Sequence, residues 1–377
     1  MIEKFEEIYQ NRHQYAKDWK AKTGGKVLGY FYPHIPEEII YAAGVLPVRI
    51  MGSHEVEDVT GSYIHAVYCP FCRGCLAQGL RGRYDYLDGV VSDDTCMHMN
   101  QAFDNFVLYC GIPHSGAFVA NMPANLQGPR ALPYLAKEEL EFKKHMEKWT
   151  GKTITNEDLD RGIAIVNRNR RLMKQVYETR KADKPPLTEV EAMLMVLSSQ
   201  VSDKEEHSRI VEQVLKKELP GRNANRTTGV RLMTIGSEDD DTTFIRMVEG
   251  LGATVVIDET FTGSRYLWTE VIPQEDRLAA IAKRYIDSPP FPVKDWYERR
   301  RFHHILKLAQ DYRAQGVILM QMKFCNPYEP DMPPLAAFLK ENNIPTYFLE
   351  FDVTVPLGAF GTRVEAFLET IREEELF

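Results

Sequence analysis

The chain has little of what would send it to a membrane or to nucleic acid. No stretch approaches the roughly 18–20 apolar residues that a bilayer-spanning helix needs. The opening MIEKFEEIYQNRHQYAKDWK mixes acids and bases without the apolar core of a secretory leader, which predicts a cytoplasmic chain. With 46 Lys and Arg against 54 Asp and Glu, the net charge is -8, so no concentrated basic face is expected for nucleic acid. Short basic runs such as Lys143-Lys144 and Arg299-Arg300-Arg301 read as solvated helix faces. No G-x-x-x-x-G-K-[ST] loop occurs, Gly24-Gly25-Lys26 being only a fragment of one, so no ATP site is expected. Six cysteines in 377 residues are no disulfide framework for such a compartment; metal ligands, reduced thiols or small buried hydrophobes remain.

What is present is a regular alternation. Residues 1–24 form an amphipathic N-terminal helix closed by Gly24-Gly25. VLGYFYP, PEEIIYAAG and VLPVRIMG then read as strand, helix and strand, with Gly44 at the helix end. A helix follows Pro70, and YDYLDGVVSDDTC is a buried strand running into a cysteine. Residues 137–182 are charged and helical, with a capping pair in Thr155-x-x-Asp158, until Lys184-Pro185-Pro186 breaks the run. GRNANRTTG reads as a loop. VRLMTIG, ATVVIDE, AQGVILMQMKFC and IPTYFLEFD are strands, with DDTTFIRMVEGLG and TRVEAFLETIREEE as helices. Strands alternating with helices of about 10–15 residues predict an α/β fold with parallel sheets. The expected division is a first α/β domain over 25–136 carrying Cys69 and Cys96, a helical connecting segment over 137–225, and a second α/β domain over 226–377 carrying Cys325.

DYLDGVVSDDTC and AQGVILMQMKFC share a plan: glycine, apolar strand, short polar stretch, cysteine. Two similar domains would each present a cysteine at the carboxyl end of a strand, where open α/β sheets bind ligands. Cys69, Cys72 and Cys75 lack the fourth nearby cysteine of a ferredoxin motif, and no second CxxC supports a zinc site, although His65 and His98 are available. The alternative joins Cys69, at a helix start that favours a thiolate, to Cys96 and Cys325. Each of these also reads as a small buried hydrophobe, as Cys110 does in VLYCGIP, and spacing alone leaves that choice open.

YCPFCRG with YDYLDGVVSDDTC, GATVVIDETFTGSRY, GVILMQMKFCNPYE, IPTYFLEFD and TRVEAF together resemble the 2-hydroxyacyl-CoA dehydratase/benzoyl-CoA reductase family. The likeness covers most of the chain in the family's order. NRNRRLMKQVYETRKADKPPLTEVEAM and VRLMTIGSEDDDTTFIRMVE look most like the smaller, C-type subunit of ATP-dependent benzoyl-CoA reductases. The resemblance implies two Rossmann- or flavodoxin-like domains plus a helical segment, with a [4Fe-4S] cluster in the cleft between domains. Its ligands fall on Cys69, Cys96 and Cys325; Cys72 and Cys75 depart from the simplest pattern, as neighbouring thiols or as extra ligands of a larger double-cubane cluster. It also implies a larger homologous cluster-bearing subunit, ATP-hydrolysing activator subunits with their own [4Fe-4S] cluster, reduced ferredoxin as ultimate donor and an aromatic acyl-CoA substrate. A 2-hydroxyacyl-CoA dehydratase subunit using ketyl chemistry, or a pure electron-transfer subunit, are the other readings. His98 and Tyr328 are candidate proton donors, among the polar residues Asn100, Asn326, Glu329, Glu350 and Asp352. Arg265 is a candidate for CoA phosphate, with a salt bridge inside the fold as its alternative.

Overall fold

The computed structural model of the chain describes residues 1–54, 59–222 and 225–374. Helices α1 (Glu3–Gln10) and α2 (Arg12–Thr23) lead to strand β1 (Val27–Tyr30), α3 (Glu37–Ala42) and β2 (Leu46–Arg49). Then come α4 (Pro70–Leu80), β3 (Gly89–Asp93), α5 (Met97–Tyr109) and β4 (Ala117–Ala120). Four helices follow: α6 (Ala131–Thr150), α7 (Asn156–Thr179), α8 (Glu189–Ser199) and α9 (Lys204–Gln213). The remainder is β5 (Val230–Gly236), α10 (Thr242–Gly250), β6 (Ala253–Glu259), α11 (Arg277–Asp287), α12 (Arg300–Asp311), β7 (Gly316–Met322), α13 (Met332–Glu341), β8 (Thr346–Phe351) and α14 (Leu357–Glu374).

The strands form two four-stranded sheets in the orders β2-β1-β3-β4 and β6-β5-β7-β8, every pair parallel. The α/β class with two parallel sheets is therefore as expected, and the shared order is that of flavodoxin-like sheets. Strands β1, β2, β3, β5, β6 and β7 are buried at every position, because helices cover both faces of a parallel sheet. Edge strand β8 instead alternates, exposing Phe348 and Glu350. β3 and β7, the strands that run into Cys96 and Cys325, hold the same position in their two sheets.

Local chemistry sets the ends of these elements. Gly24 terminates α2 in a left-handed conformation at φ 65°. The first helical stretch divides at Asn11, and the 137–182 run divides at Gly151 into α6 and α7. Thr155 and Asp158 make the reciprocal capping box at the start of α7, and Thr188 with Glu191 repeats it on α8. A Cβ on Gly162 would lie 2.0 Å from the Glu38 carbonyl oxygen, so only glycine lets α7 pack this close to α3. Within the expected GRNANRTTG loop, Asn223 and Ala224 lie outside the described residues, as does Glu375 beyond α14. No helix among the described residues is long and apolar enough to cross a membrane. The basic run 299–301 corrects its solvated reading: Arg301 is 1% exposed, held by Glu259 and Asp331.

The segment after β2 is tied to the second sheet through His54, whose Nε2 lies 2.7 Å from Asp240 Oδ1. Tyr9 of α1 donates to the other oxygen of that carboxylate at 2.8 Å. Burial alone would lower the His54 pKa, but Asp240, helped by Asp241 and Asp239, raises it to about 9. A raised histidine adds stability that is complete below its unfolded value of about 6.5 and is lost as pH climbs through about 9. The His54→Gln variant should melt below the parent near pH 6, and that gap should close by about pH 10. A gap independent of pH in thermal denaturation would refute the ion pair.

Candidate metal centre

In each sheet the switch point lies between the first and third strands, where ligands of such folds collect. From the first sheet, Tyr32 follows β1, and Cys96 and His98 follow β3. From the second, Ser237 and Glu238 follow β5, and Cys325 and Tyr328 follow β7. These residues, with Cys69, line one small cavity walled by Phe71, Phe261 and Phe291. The three cysteines expected to act together thus share one enclosure, although they come from segments up to 256 positions apart (325 minus 69).

Each sulfur is presented by a defined local structure. Cys69 is the N-cap of α4, with Pro70 as its first helical residue, and Cys96 is the N-cap of α5. Both therefore sit where unsatisfied N–H groups favour negative charge. Cys325 follows Phe324, which has φ 60°, a rare conformation for a bulky side chain. All six cysteines are free thiols.

The two sheets support their cysteines in the same way. The Tyr32 hydroxyl donates to the Cys96 sulfur, and the Ser237 hydroxyl donates to the Cys325 sulfur. In both cases a residue just past the first strand serves the cysteine just past the third. Sequence reading missed Tyr32 and Ser237; the only signal was their place just past the apolar stretches of the first strand in each half, VLGY and VRLMTIG.

Cys69 differs electrostatically from the other two. A hydrogen bond from the Cys72 thiol, with further help from His98, lowers its pKa to about 5 against the effect of burial. Burial, followed by the charge of Cys69, pushes Cys96 up to about 11 and raises Cys325 as well. A bound cation would reverse that sign, because metal charge stabilises every coordinating thiolate. The tightest potential metal group is nevertheless Cys69, Cys72 and His98, whose ligand atoms lie within 4.8 Å of one another. Cys75 is turned away, its sulfur 3.6 Å from the Ile50 carbonyl, and Cys110 packs beside Gly79.

The candidate proton donors fall on the cavity wall. His98 Nδ1 accepts from the Cys69 backbone N–H at 3.2 Å. A neutral ring then carries its proton on Nε2, which requires the Asn326 amide, 3.3 Å away, to turn its oxygen toward the ring. Tyr328 is 1% exposed, and its hydroxyl has no hydrogen-bond partner; Arg301 stacks on its ring at 4.9 Å. Burial raises its pKa, so the hydroxyl keeps its proton. Glu329 and Glu350 are exposed, Asp352 pairs with Lys323 at 3.0 Å and Arg73 at 3.4 Å, and the Asn100 Oδ1 atom is buried without a partner. Arg265 makes the internal salt bridge of its alternative reading, to Glu259, and donates to the Pro289 and Pro290 carbonyls at 2.9 and 2.8 Å.

A family model described as 2-hydroxyglutaryl-CoA dehydratase, D-component, matches residues 33–371. The (R)-phenyllactyl-CoA dehydratase beta subunit of Clostridium sporogenes is 26% identical over 97% of each chain. The C-type subunit of the Thauera aromatica benzoyl-CoA reductase is 27% identical over 88% of this chain and 86% of its own. The beta subunit of the Acidaminococcus fermentans (R)-2-hydroxyglutaryl-CoA dehydratase is 24% identical over 98% of this chain and 99% of its own.

A buried hydroxyl without a partner costs about 1–3 kcal/mol of stability. Tyr328→Phe should therefore leave the chain as stable as the parent or more stable, by up to about 1 kcal/mol, in urea denaturation. A clear loss of stability would mean that the hydroxyl has a partner inside the fold.

Proposed function

The chain belongs to the 2-hydroxyglutaryl-CoA dehydratase D-component family, and from that premise we propose that it is a cluster-bearing subunit of an enzyme acting on an acyl-CoA thioester. Cys69, Cys96 and Cys325 would hold a [4Fe-4S] cluster by three irons, leaving the fourth without a protein thiolate. Such a cluster, when bound, supplies single electrons at low potential to the thioester. The observation that carries this reading is the convergence of three free, buried thiols on one cavity. The donor set fits the group: thiolates are the ligands of iron–sulfur clusters, and Tyr32 and Ser237 give two of the sulfurs hydrogen bonds of the kind that set a cluster's potential.

The chain's own residues would then have separable tasks. Phe71, Phe261 and Phe291 keep water from the reacting centre. His98 orients the Cys69 loop through its backbone N–H. Of the two candidate proton donors, Tyr328 has its hydroxyl free to act, whereas both ring nitrogens of His98 are engaged. Cys72 stands ready as an additional thiolate for a larger cluster. Partners follow from the same reading: a larger homologous subunit, ATP-hydrolysing activator subunits with their own [4Fe-4S] cluster, and reduced ferredoxin.

Iron content and low-temperature EPR of anaerobically purified single variants test the ligand set. Cys69→Ala, Cys96→Ala and Cys325→Ala should each lose most of the iron and the signal, while Cys75→Ala retains both. Loss in Cys72→Ala, with retention in Cys96→Ala and Cys325→Ala, would move the metal to the Cys69, Cys72 and His98 group and overturn the assignment.

The finer reading is an ATP-dependent benzoyl-CoA reductase subunit, supported by the stretches around NRNRRLMKQVYETRKADKPP and by the similarity to the Thauera aromatica reductase. A 2-hydroxyacyl-CoA dehydratase subunit is the second reading, favoured by relatives that match end to end. Ring reduction consumes electrons at each turnover, whereas dehydration returns them. The reconstituted enzyme should use ATP stoichiometrically with benzoyl-CoA and show no turnover of 2-hydroxyacyl-CoA. The opposite pattern would make it a dehydratase.

A further inference from the structure

The loops that leave β1 and β3 meet twice. Tyr32 donates through its hydroxyl to the Cys96 sulfur. Two residues on, His34 Nδ1 lies 3.1 Å from Asp93 Oδ2, and Asp93 stands three positions before Cys96. The same two loops are therefore joined by two rungs, one ending on a candidate ligand and one ending beside it. Pro33 separates Tyr32 from His34 and fixes φ at about −65° between them, which limits how far the two can move apart.

The second rung is fixed at both ends. Asp93 is completely buried, and its other oxygen accepts the Thr95 N–H at 2.8 Å. Burial opposes its charge, yet His34 and Thr95 hold its pKa below the usual carboxylate range. An ionised carboxylate can only accept, so Nδ1 of His34 carries the proton. The imidazole plane lies 13° from that of Tyr32, with 5.8 Å between ring centres. Phe261 and Phe291 meet both rings edge-on, each at 6.2 Å from Tyr32, and at 5.4 and 6.0 Å from His34.

A phenol reaches a sulfur through two side-chain torsions, and sulfur is a weak acceptor, so the contact cannot by itself hold the ring's aim. Ser237, which serves Cys325 in the other sheet, has one torsion to its oxygen, and its carbonyl accepts the Phe261 N–H at 2.8 Å. It needs no such brace. Neither His34 nor Asp93 lines the cysteine cavity, so any influence they have on it passes through Tyr32 and the Cys96 loop. The geometry points to Asp93 and His34 as a positioning pair that braces Tyr32, keeps its hydroxyl aimed at Cys96 and so sets the reduction potential of the centre. The inference rests on the cluster reading given above. A hydrogen bond to a coordinating thiolate favours the reduced, more negative state, so loosening it lowers the potential.

EPR-monitored redox titration of the anaerobically purified, iron-replete protein tests the brace. Tyr32→Phe removes the bond itself and should lower the reduced-to-oxidised ratio by about tenfold, or about 59 mV for one electron. His34→Gln gives up the stacked ring, and Asp93→Asn keeps the side chain's shape while losing its charge. Each should shift the potential in the same direction by less, with iron content at the parent's level. In the Tyr32→Phe background neither should shift it further, because the bond they support is already gone. Additive shifts would give the pair an effect of its own and overturn the proposal, as would the parent's potential in both single variants. Should one variant fail to hold iron, the cycle is read from the other; loss of iron from both would make the pair a support of the fold alone and overturn it too. A parent that binds no cluster would sink the reading above along with this one, whereas a parent cluster beside unshifted variants would sink only the brace.

Discussion

The two sheets are held in register by a buried ion pair. Arg49, the last residue of β2, grips both oxygens of Glu238 at 2.9 Å, just past the end of β5. The same guanidinium donates to the Phe261 carbonyl at 2.7 Å and to Gln200 at the end of α8. Gln200 in turn donates to the Thr262 carbonyl at 2.9 Å. Removing one partner of such a buried pair costs about 3–5 kcal/mol, since the other charge is left without water. Burial pushes Glu238 up to about 7 even with Arg49 opposing it. The pair fastens the carboxyl ends of β2 and β5 to each other. Because Glu238 also lines the cysteine cavity, the alignment of the sheets and the shape of the site are one constraint.

That constraint gives meaning to the repeated strand order. Two sheets with the order second, first, third, fourth have equivalent switch points, and the Arg49 bridge brings those points together. Each half then contributes a cysteine after its third strand and a hydroxyl donor after its first. Tyrosine does this in one half and serine in the other, so the supporting hydrogen bond is kept while the side chain's size is not. Cys69 has no counterpart from the second half. The segment after β6 supplies Phe261 to the wall in its place, and the site is consequently asymmetric.

Much of the scaffold was legible because its signals are local. Glycine, an apolar run and a cysteine marked β3 and β7, and Thr155-x-x-Asp158 marked the start of α7. Strand β4 went unread: AFVA is four residues long and carries no pattern that distinguishes it. The Arg301 burial was misread because a run of three arginines looks solvated, while its acidic partners stand 42 and 30 positions away. Tyr32 and Ser237 were missed for a related reason, since a hydroxyl's aim depends on which strand its sheet places beside it. The grouping of Cys69, Cys96 and Cys325 was legible from a helix start and two strand ends only as one of two open readings, and the family resemblance selected it; no spacing in the chain encodes it.

Helix α12 supports the cysteine cavity through Tyr328. Its first residue, Arg300, pairs with Asp295 at 3.5 Å and Glu298 at 3.8 Å, while the next, Arg301, turns inward to Glu259 at 2.7 Å and stacks on Tyr328. Arg265 shares Glu259 with Arg301 and reaches the 289–290 carbonyls from the other side. One buried carboxylate therefore positions both the phenol at the cysteine cavity and, through Arg265, the backbone at 289–290. Glu259 keeps its charge despite complete burial because two guanidiniums hold its pKa below the usual carboxylate range. Arg299, at φ 48°, turns the chain so that adjacent arginines enter α12 facing opposite ways.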